Sequence, residues 1–210
     1  MFFFACLIAV SLASYGVDVS QPTSASSIQC LRNNGFAGFF ICRAWCSPGY
    51  FDSNSVYTLQ QTQSVGFVSD TSDVYFYPCL SCGNPEGQVV EFWNNVVANN
   101  MKFKRVWYDI EGTWTSSVST NRDFFERMMG KSISYGIASG VYASSYYWGN
   151  IFGSYTYSNA GSVPLWYPHY DNWASFGDFG AFGGWSSPYM KQYRGDVSIC
   201  SAGVDYNYRA

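Results

Sequence analysis

Segments with strand periodicity alternate with segments of helical periodicity along most of this chain, and that alternation restricts the fold more than any other feature. Strands that alternate with helices usually pair in parallel through crossover connections, which produces either a closed barrel or an open sheet covered on both faces. Eight segments are predicted as strands, at residues 15–19, 38–44, 74–77, 104–110, 138–142, 163–167, 188–193 and 203–206. Eight short strands in 210 residues favour a compact α/β barrel, with a doubly wound open sheet as the principal alternative.

The connecting helices are predicted from apolar residues at helical spacing. The clearest covers residues 88–101, which carry a broad apolar stripe. Three others are predicted at residues 27–32, 56–65 and 120–129, the last ending at Gly130. Later in the chain the sequence turns to Gly-, Ser- and aromatic-rich loops, where no further helix is predicted. No internal repeat or low-complexity linker is present, so residues 14–210 are predicted to form one domain.

The first 13 residues have the pattern of a targeting signal. Met1–Ala13 is an uncharged apolar run that ends in Ser11-Leu12-Ala13, a small-residue pattern that signal peptidase accepts. At about 13 residues it is shorter than the roughly 20 that cross a bilayer as a helix. We therefore predict a cleaved signal, a protein that is secreted or held in secretory, lysosomal or phagosomal vesicles, and no membrane association after cleavage. A buried N-terminal strand is the alternative, because the run carries no Lys or Arg.

The charge and composition of the chain exclude two classes of protein. Its 11 Lys and Arg residues stand against 14 Asp and Glu residues with no basic run, so it lacks the charges that bind a row of phosphates. Its 48% hydrophobic content is far above that of an intrinsically disordered chain. We expect a folded protein that does not bind nucleic acid, and we expect it to be a monomer.

Six cysteines remain once the predicted signal is removed, and secretion favours their oxidation. They are Cys30, Cys42, Cys46, Cys79, Cys82 and Cys200. We predict three disulfides; Cys79 and Cys82 are close enough to pair locally, and the sequence leaves the connectivity open. The alternative is a zinc site, because the spacings Cys42-x-x-x-Cys46 and Cys79-x-x-Cys82 suit four thiolates.

Carboxylates at the ends of predicted strands are the strongest candidates for chemistry. Asp109 and Glu111 end an apolar strand, where residues two apart point to the same face and lie roughly 6 to 7 Å apart. Asp18 and Asp205 end two other predicted strands, each flanked by apolar residues. A buried carboxylate is unfavourable unless it lines a polar cavity, and barrels carry their active sites at the C-terminal strand ends. We therefore expect the four acids to share one cavity, where crowding raises at least one pKa.

Other catalytic and cofactor sites find little support. His169 is the single histidine, no G-x-S-x-G motif accompanies it, and a structural role is the favoured interpretation. The glycines between Gly177 and Gly184 lack the Lys-Ser/Thr pair of a phosphate-binding loop and indicate turns instead. We expect neither a bound metal nor a cofactor.

Several short motifs resemble, in their order along the chain, the strands of glycoside hydrolase family 25 lysozymes. They are Tyr15-Gly16-Val17-Asp18-Val19-Ser20, Phe40-Ile41-Cys42-Arg43-Ala44, Trp107-Tyr108-Asp109-Ile110-Glu111, Pro164-Leu165-Trp166, Lys191-Gln192-Tyr193 and Gly203-Val204-Asp205-Tyr206-Asn207. The resemblance implies an irregular, TIM-like β/α barrel of about eight strands with helices reduced in the C-terminal part. It also implies N-acetylmuramidase activity, the hydrolysis of β-1,4 bonds between N-acetylmuramic acid and N-acetylglucosamine in bacterial peptidoglycan.

The same resemblance implies roles for the four acids. Glu111 would be the general acid/base that protonates the glycosidic oxygen. Asp109 would orient the 2-acetamido group of the substrate if that group assists the attack. Asp18 and Asp205 would shape the electric field of the site, and one of them is an alternative nucleophile.

Aromatic rings near the strand ends are candidates for contact with the apolar faces of sugars. Tyr142, Trp166 and Tyr108 are the predicted substrate-binding residues. The loop 176–185 either walls a subsite or is a packed surface loop.

Two further sequence features bear on function: a departure from the family pattern after Asp18 and the acidic pI. The segment after Asp18 lacks the Gln-Gly and Asp-Trp pairs that many family members show there, which leaves the subsites open. A sequence pI of about 5.0 opposes contact with an anionic cell wall at neutral pH, so our hypothesis is an enzyme that works best in acid. A non-catalytic carbohydrate-binding protein on the same barrel is the second interpretation, and a Tyr-rich structural protein is the third.

Overall fold

Nine strands and five helices make up the protein over residues 13–210, the part of the chain that the computed structural model describes. The strands are β1 (Ser14–Val19), β2 (Phe39–Cys46), β3 (Tyr50–Phe51), β4 (Ser72–Phe76), β5 (Val106–Asp109), β6 (Ser139–Tyr142), β7 (Leu165–Pro168), β8 (Met190–Ile199) and β9 (Ala202–Arg209). The predicted signal, except for Ala13, lies outside the described residues.

Eight of these strands close into a barrel, which confirms the predicted α/β fold and excludes the open sheet. Strands β1, β2 and β4 to β8 pair in parallel, and β9 closes the barrel between β8 and β1. The two-residue β3 pairs only with the end of β2. Alternation of strands and helices predicts parallel pairing through crossover units; β9, which follows β8 without a helix, is instead antiparallel to both neighbours. The reason is the two-residue turn Cys200-Ser201, where both φ angles are +58°, as tight hairpins require.

Alternation along the strands divides the apolar residues between the barrel interior and the outer shell under the helices. The interior holds a small cluster of Phe39, Ile41, Trp107, Tyr142, Trp166 and Met190. Glycines make room for the largest of these rings, because a Cβ on Gly16 would lie 2.4 Å from Phe39 and one on Gly140 would lie 2.4 Å from Trp107. Large side chains on one strand are therefore matched by small ones on the next.

The helices cover the barrel and are fixed by caps at their first turns. They are α1 (Ala25–Asn33), α2 (Asn54–Ser64), α3 (Pro85–Ala98), α4 (Val118–Ser134) and α5 (Ser145–Phe152). Side chains of Ser24, Asn84, Ser117 and Ser144 accept hydrogen bonds from first-turn backbone amides of α1, α3, α4 and α5.

Two helix predictions need correction. Helix α4 runs through Gly130 to Ser134; Ser132, beyond that glycine, is fully buried, and such packing outweighs the low helix propensity of glycine. Helix α5 is not among the predicted helices, although its buried Trp148, Ile151 and Phe152 have helical spacing. Its aromatic residues and glycine have low intrinsic helix propensity, and packing against the barrel outweighs that preference.

The cysteines form two disulfides within the described residues, Cys30–Cys200 and Cys79–Cys82. The alternative of a four-thiolate zinc site is wrong, because the sulfurs of Cys79 and Cys82 are bonded to each other. The prediction of three disulfides is also wrong, because Cys42 and Cys46 are buried free thiols. Both lie on β2 and are four residues apart, about 13 Å along a strand, which is well beyond the Cα separation that a disulfide allows. In residues 13–210 no helix is long and apolar enough to span a membrane.

Candidate active site

A cavity at the C-terminal end of the parallel strands brings together the four acids singled out in the sequence. Asp18, Asp109, Glu111 and Asp205 all line it. Asp109 is the last residue of β5 and Glu111 follows two residues later, so both side chains point to the same side. Asp205 lies within β9 rather than at a strand end, directly opposite Asp18 of β1. Because β9 is antiparallel, its first half is the part that reaches this end of the barrel.

One amide side chain, that of Gln192 on β8, connects two of the carboxylates. Its Nε2 donates to Asp18 Oδ1 at 2.8 Å and to Asp205 Oδ2 at 3.1 Å. Its Oε1 accepts from the hydroxyls of Tyr142 and Tyr170, each at 2.7 Å. Two hydroxyl donors on one side and two carboxylate acceptors on the other fix the orientation of the amide. Gln192, 3% exposed, thus separates two acids that would otherwise face each other directly across the β1–β9 pair.

A second amide holds Asp18 from β9. Asn207 Nδ2 donates to Asp18 Oδ1 at 2.7 Å, while its Oδ1 accepts from Trp166 Nε1 at 2.8 Å. Asp205 has a further partner in the backbone amide of Asp196, at 2.7 Å from Oδ1. Both carboxylates are therefore committed to donors of the protein itself.

Asp109 and Glu111 differ from Asp18 and Asp205 in their burial and hydrogen bonding. Asp109 is only 6% exposed, and its Oδ1 is buried without a hydrogen-bond partner in the described structure. Glu111 is half-buried at the edge of the cavity. A buried acceptor without a donor is rare in native proteins and is often explained by a ligand or a catalytic role.

Burial raises the pKa of each of the four carboxyl groups, and mutual repulsion adds to the effect in three of them. After burial, the main cause is the charge of Asp205 for Asp18 and Glu111, and the charge of Glu111 for Asp109. Burial also raises the pKa of Asp205; the hydrogen bond from the backbone amide of Asp196 partly offsets that rise, and the charge of Asp196 adds a smaller rise. Hydrogen bonds from Asn207 and Gln192 partly offset the rise in the pKa of Asp18. The site can therefore hold a protonated carboxyl group at a pH where exposed carboxyls are ionised.

Two of the three predicted sugar-binding aromatic residues line the cavity and one does not. Tyr142 and Trp166 lie in its wall, both largely buried and both engaged in the hydrogen bonds above. Tyr108 is fully buried on the outer side of β5, where its hydroxyl donates to Ser132 of α4 at 2.7 Å. Tyr108 is thus placed away from substrate, because strand alternation that turns Asp109 inward must turn Tyr108 outward. In the loop 176–185, three Phe rings pack against the core, as in a packed surface loop.

The sequence reasoning missed three residues that line the same cavity: Tyr75, Tyr170 and Gln192. Gln192 follows Lys191 in a strand of mixed polarity, so it lacks the signal of Asp18, a polar residue in an apolar strand. Tyr75 lies on β4. Tyr170 comes from the loop after β7, and a loop has no periodicity from which its place at the cavity could be predicted.

His169 lies outside this cavity. Its Nδ1 is 2.5 Å from Asp178 Oδ2, and with Asp171 these residues are the one group in residues 13–210 whose atoms could meet on a metal ion. The buried ammonium of Lys191 already donates to Asp171 and Asp178, at 2.8 Å each. That cation pairs with both carboxylates, so the group is explained as an ion-pair network that fastens the loop after β7 to β8.

A parallel-stranded barrel with a cluster of raised-pKa carboxylates at its C-terminal end defines the class of barrel hydrolases that act through carboxyl groups. Comparison with known proteins identifies the family. The family described as "Lysozyme-like protein 1" matches residues 9–193. The chain is 38% identical to "Probable GH family 25 lysozyme 4" of Dictyostelium discoideum, covering 98% of this chain and 94% of that protein. It is 39% identical to "Probable GH family 25 lysozyme 2" of the same organism, covering 98% and 95%. The chain therefore belongs to the glycoside hydrolase family 25 lysozymes.

Solved structures agree on the fold. A muramidase from Acremonium alcalophilum superimposes with a TM-score of 0.73 at 18% identity, covering 94% of this chain and 93% of that one. The modular Cpl-1 endolysin, solved with a peptidoglycan analogue, superimposes with a TM-score of 0.68 at 18% identity, covering 95% of this chain and 55% of that one. At these identities the likeness concerns the barrel alone.

Proposed function

We propose that the protein is a secreted N-acetylmuramidase that hydrolyses the β-1,4 bond between N-acetylmuramic acid and N-acetylglucosamine in bacterial peptidoglycan. The observation that carries this proposal is the half-buried Glu111 at the edge of a cavity that holds three further carboxyl groups. The names of the relatives and the peptidoglycan analogue bound by the Cpl-1 endolysin support the substrate class.

In this proposal Glu111 is the general acid/base. Burial and the nearby charge of Asp205 raise its pKa, which keeps a proton available for the glycosidic oxygen in mildly acidic solution. As the bond between C1 and the oxygen breaks, that proton passes to the leaving sugar. A water molecule, deprotonated by the same carboxylate, then adds its hydroxyl to C1.

Asp109 is the acid best placed to act on the substrate's 2-acetamido group. Its buried Oδ1 lacks a donor in the described structure, so an amide N–H of the substrate can fill that place. Asp18 and Asp205 already accept hydrogen bonds from Gln192, Asn207 and a backbone amide. We infer that these two acids set the field of the site and position Gln192, and that neither is the nucleophile.

Cleavage of purified bacterial cell walls tests the proposal. The wild-type protein is expected to release fragments with muramic acid at the new reducing end, and Glu111→Gln is expected to lose at least about 100-fold in rate, the usual contribution of a general acid. Glu126→Gln, an exposed carboxyl on α4, is the matched control and should retain wild-type activity. Glucosamine at the new reducing end would contradict the proposed bond. Binding without cleavage by the wild type would select a carbohydrate-binding protein instead.

The raised pKa values of the site carboxyls also bear on the pH at which the protein is most active. All four site carboxyls hold their protons to higher pH than exposed acids do, and lower pH also reduces repulsion from an anionic wall. We expect activity to be highest in acid, as in a digestive or defensive vesicle, in keeping with the predicted signal at Met1–Ala13 and the two disulfides. A pH–activity profile that peaks above 8 would exclude this.

A further inference from the structure

A cavity at the N-terminal end of the parallel strands, the end opposite the carboxylate cavity, is lined by Arg105. Its volume of about 370 Å³ lies within the range of about 300–1,000 Å³ that is usual for small-ligand sites. Its other walls come from the segments 160–165 and 185–189, which precede or begin β7 and β8. Among the described residues that line it there is no acidic side chain, so the guanidinium of Arg105 is its one full charge.

The guanidinium of Arg105 is unpaired. In residues 13–210 it forms neither an ion pair nor a hydrogen bond, and its Nε and Nη1 are buried. Arg209, at the same end of the barrel, is instead paired with Asp73, with Nη2 at 2.6 Å from Oδ2, and Asp73 forms no ion pair with Arg105. A buried donor without an acceptor is rare, and a charged one is costly unless an anion reaches it.

Two aromatic rings hold this guanidinium in place. Its central carbon lies 5.3 Å from the ring centroid of Trp107 and 5.1 Å from that of Tyr189, both within the range of a cation–π contact. Gly140 of β6 leaves room for the side chain, because a Cβ at that position would lie 3.0 Å from Arg105 Cδ. The cation is therefore positioned before a ligand arrives, which reduces the entropy cost of binding.

The remaining lining residues suit an anion that is carried on a small organic group. Ser162 and Ser187 supply hydroxyl groups, and Pro164, Leu165 and Pro188 supply apolar surface. A guanidinium presents its N–H groups as a fork that matches two oxygens of a carboxylate or a phosphate, and hydroxyls donate to the same oxygens. The apolar residues can contact the group to which the anion is attached.

Charge is unevenly distributed between the two ends of the barrel. The C-terminal end holds the four carboxyl groups of the candidate active site. At the N-terminal end, Lys102 and Lys104 stand with Arg105 directly before β5, and both lysines are exposed and without an ion pair in the described part of the chain. The formal net charge of −3 therefore conceals a local attraction for anions at this end.

We propose that the cavity beside Arg105 binds a carboxylate or phosphate group of the anionic bacterial cell wall, as a second attachment to the wall remote from the carboxylate cavity. The choice of the wall as the source of the anion rests on the proposed function, whereas anion binding itself requires no cleavage. Such an attachment offsets the repulsion between the acidic end of the barrel and an anionic polymer.

Titration with sodium acetate and with inorganic phosphate tests the anion site itself. Heteronuclear NMR follows the Nε–H signal of Arg105. The signal of Arg194 is the matched control, because Arg194 is exposed on β8, lies over the Tyr206 ring at 5.7 Å and has no ion pair in residues 13–210. We expect a saturable shift at Arg105 with at least one of the two anions, and at least roughly tenfold weaker binding at Arg194. No saturable shift at Arg105, or the same Kd at both arginines, would overturn the site.

Co-sedimentation with purified cell walls in about 50 mM NaCl tests the attachment to the wall. All variants carry Glu111→Gln, so that the wall is not digested. Arg105→Gln and the double variant Lys102→Gln/Lys104→Gln should bind roughly tenfold more weakly than this parent, the scale of a lost charge-assisted contact, whereas Arg194→Gln should bind equally well. The difference should vanish in about 500 mM NaCl. Because both lysines are exposed, the double variant provides the test even where Arg105→Gln fails to fold.

Walls treated with hydrofluoric acid, which removes phosphate-linked polymers, distinguish the two anions. Loss of the Arg105 effect on such walls assigns a phosphate, and its persistence assigns a carboxylate. Equal binding of untreated walls by the parent and the Arg105 and lysine variants would overturn the attachment, as would an Arg105 effect confined to phosphatidylglycerol vesicles. Binding in the expected order by a protein whose wild type does not cleave glycan would refute the proposed function and leave the anion site standing.

Discussion

Replacement of Asp109 by Asn should make the protein more stable at high pH and leave its stability in acid unchanged. Asp109 is 6% exposed, has a buried oxygen without a donor, and has Glu111 and Asp18 as charged neighbours. Its pKa is therefore raised in the folded state, first by burial and then by those charges. Stability from such a group is fully present below the ordinary Asp pKa of about 3.9 and is lost as the pH rises through the raised value.

The size of the effect follows from how far the pKa of Asp109 in the folded protein exceeds its pKa in the unfolded chain. A tenfold tighter hold on the proton in the folded state corresponds to about 1.4 kcal/mol of stability that is lost once the pH exceeds the raised pKa. For a chain of this size, 1 kcal/mol changes the melting temperature by about 2–4 °C. Each such tenfold factor should therefore appear as a gain of about 3–6 °C in the melting temperature of Asp109→Asn at pH 8. The gain should disappear near pH 3.5, where the wild-type carboxyl is protonated.

Thermal unfolding of both proteins at pH 3.5, 5, 6.5 and 8 measures this difference. Asp123→Asn is the matched control, since the Asp123 side chain is 64% exposed on α4 and its exposed ion pair with Arg127 is worth little. Its change in melting temperature should be small at every pH. A gain for Asp109→Asn that is the same at pH 3.5 and pH 8, or no gain at pH 8, would refute the argument from buried charge.

Three further variants, one single and two double, test the residues that support the site and the fold. Gln192→Leu removes four hydrogen bonds at once and should lower the free energy of unfolding by about 2–4 kcal/mol, because buried groups lose their partners. Urea denaturation at pH 5 measures this change, and a loss below about 1 kcal/mol would mean that water replaces the amide freely. Replacing Cys30 and Cys200 by Ser should cost about 5 kcal/mol, against about 2 kcal/mol for Cys79 and Cys82, since the first pair closes a far longer loop. Equal losses in the two double variants would contradict the loop-entropy account.

Most of what the sequence indicates about the site comes from strand geometry. Applied consistently, the same geometry would also have corrected two of the predictions. The period of two that places Asp109 and Glu111 on one face also requires Tyr108 to face outward, which excludes the predicted contact of Tyr108 with sugar. The rise of about 3.3 Å per residue along β2 keeps Cys42 and Cys46 about 13 Å apart, so these two cysteines cannot form the third predicted disulfide. These errors could have been avoided from the sequence.

Other features could not be obtained from local pattern. Helix α5 is formed by residues with low helix propensity, and its stability comes from the surface it covers on the barrel. Tyr170 reaches Gln192 from a loop whose position depends on the ion pairs of Lys191. Neither contact leaves a periodic signal in the chain.

The sequence alone identified the candidate site residues as acids in otherwise apolar strands. The alternation of side chains along a strand also indicated which of them point inward. Only the tertiary structure decided that Asp18, Glu111 and Asp205 share one cavity, because barrel closure brings β1, the end of β5 and β9 to the same rim. The face to which a side chain points follows from the backbone geometry of its own strand and can be predicted from a short stretch of sequence. The order of strands around a barrel, and the antiparallel direction of β9, depend on contacts between distant segments, which no short stretch of sequence encodes.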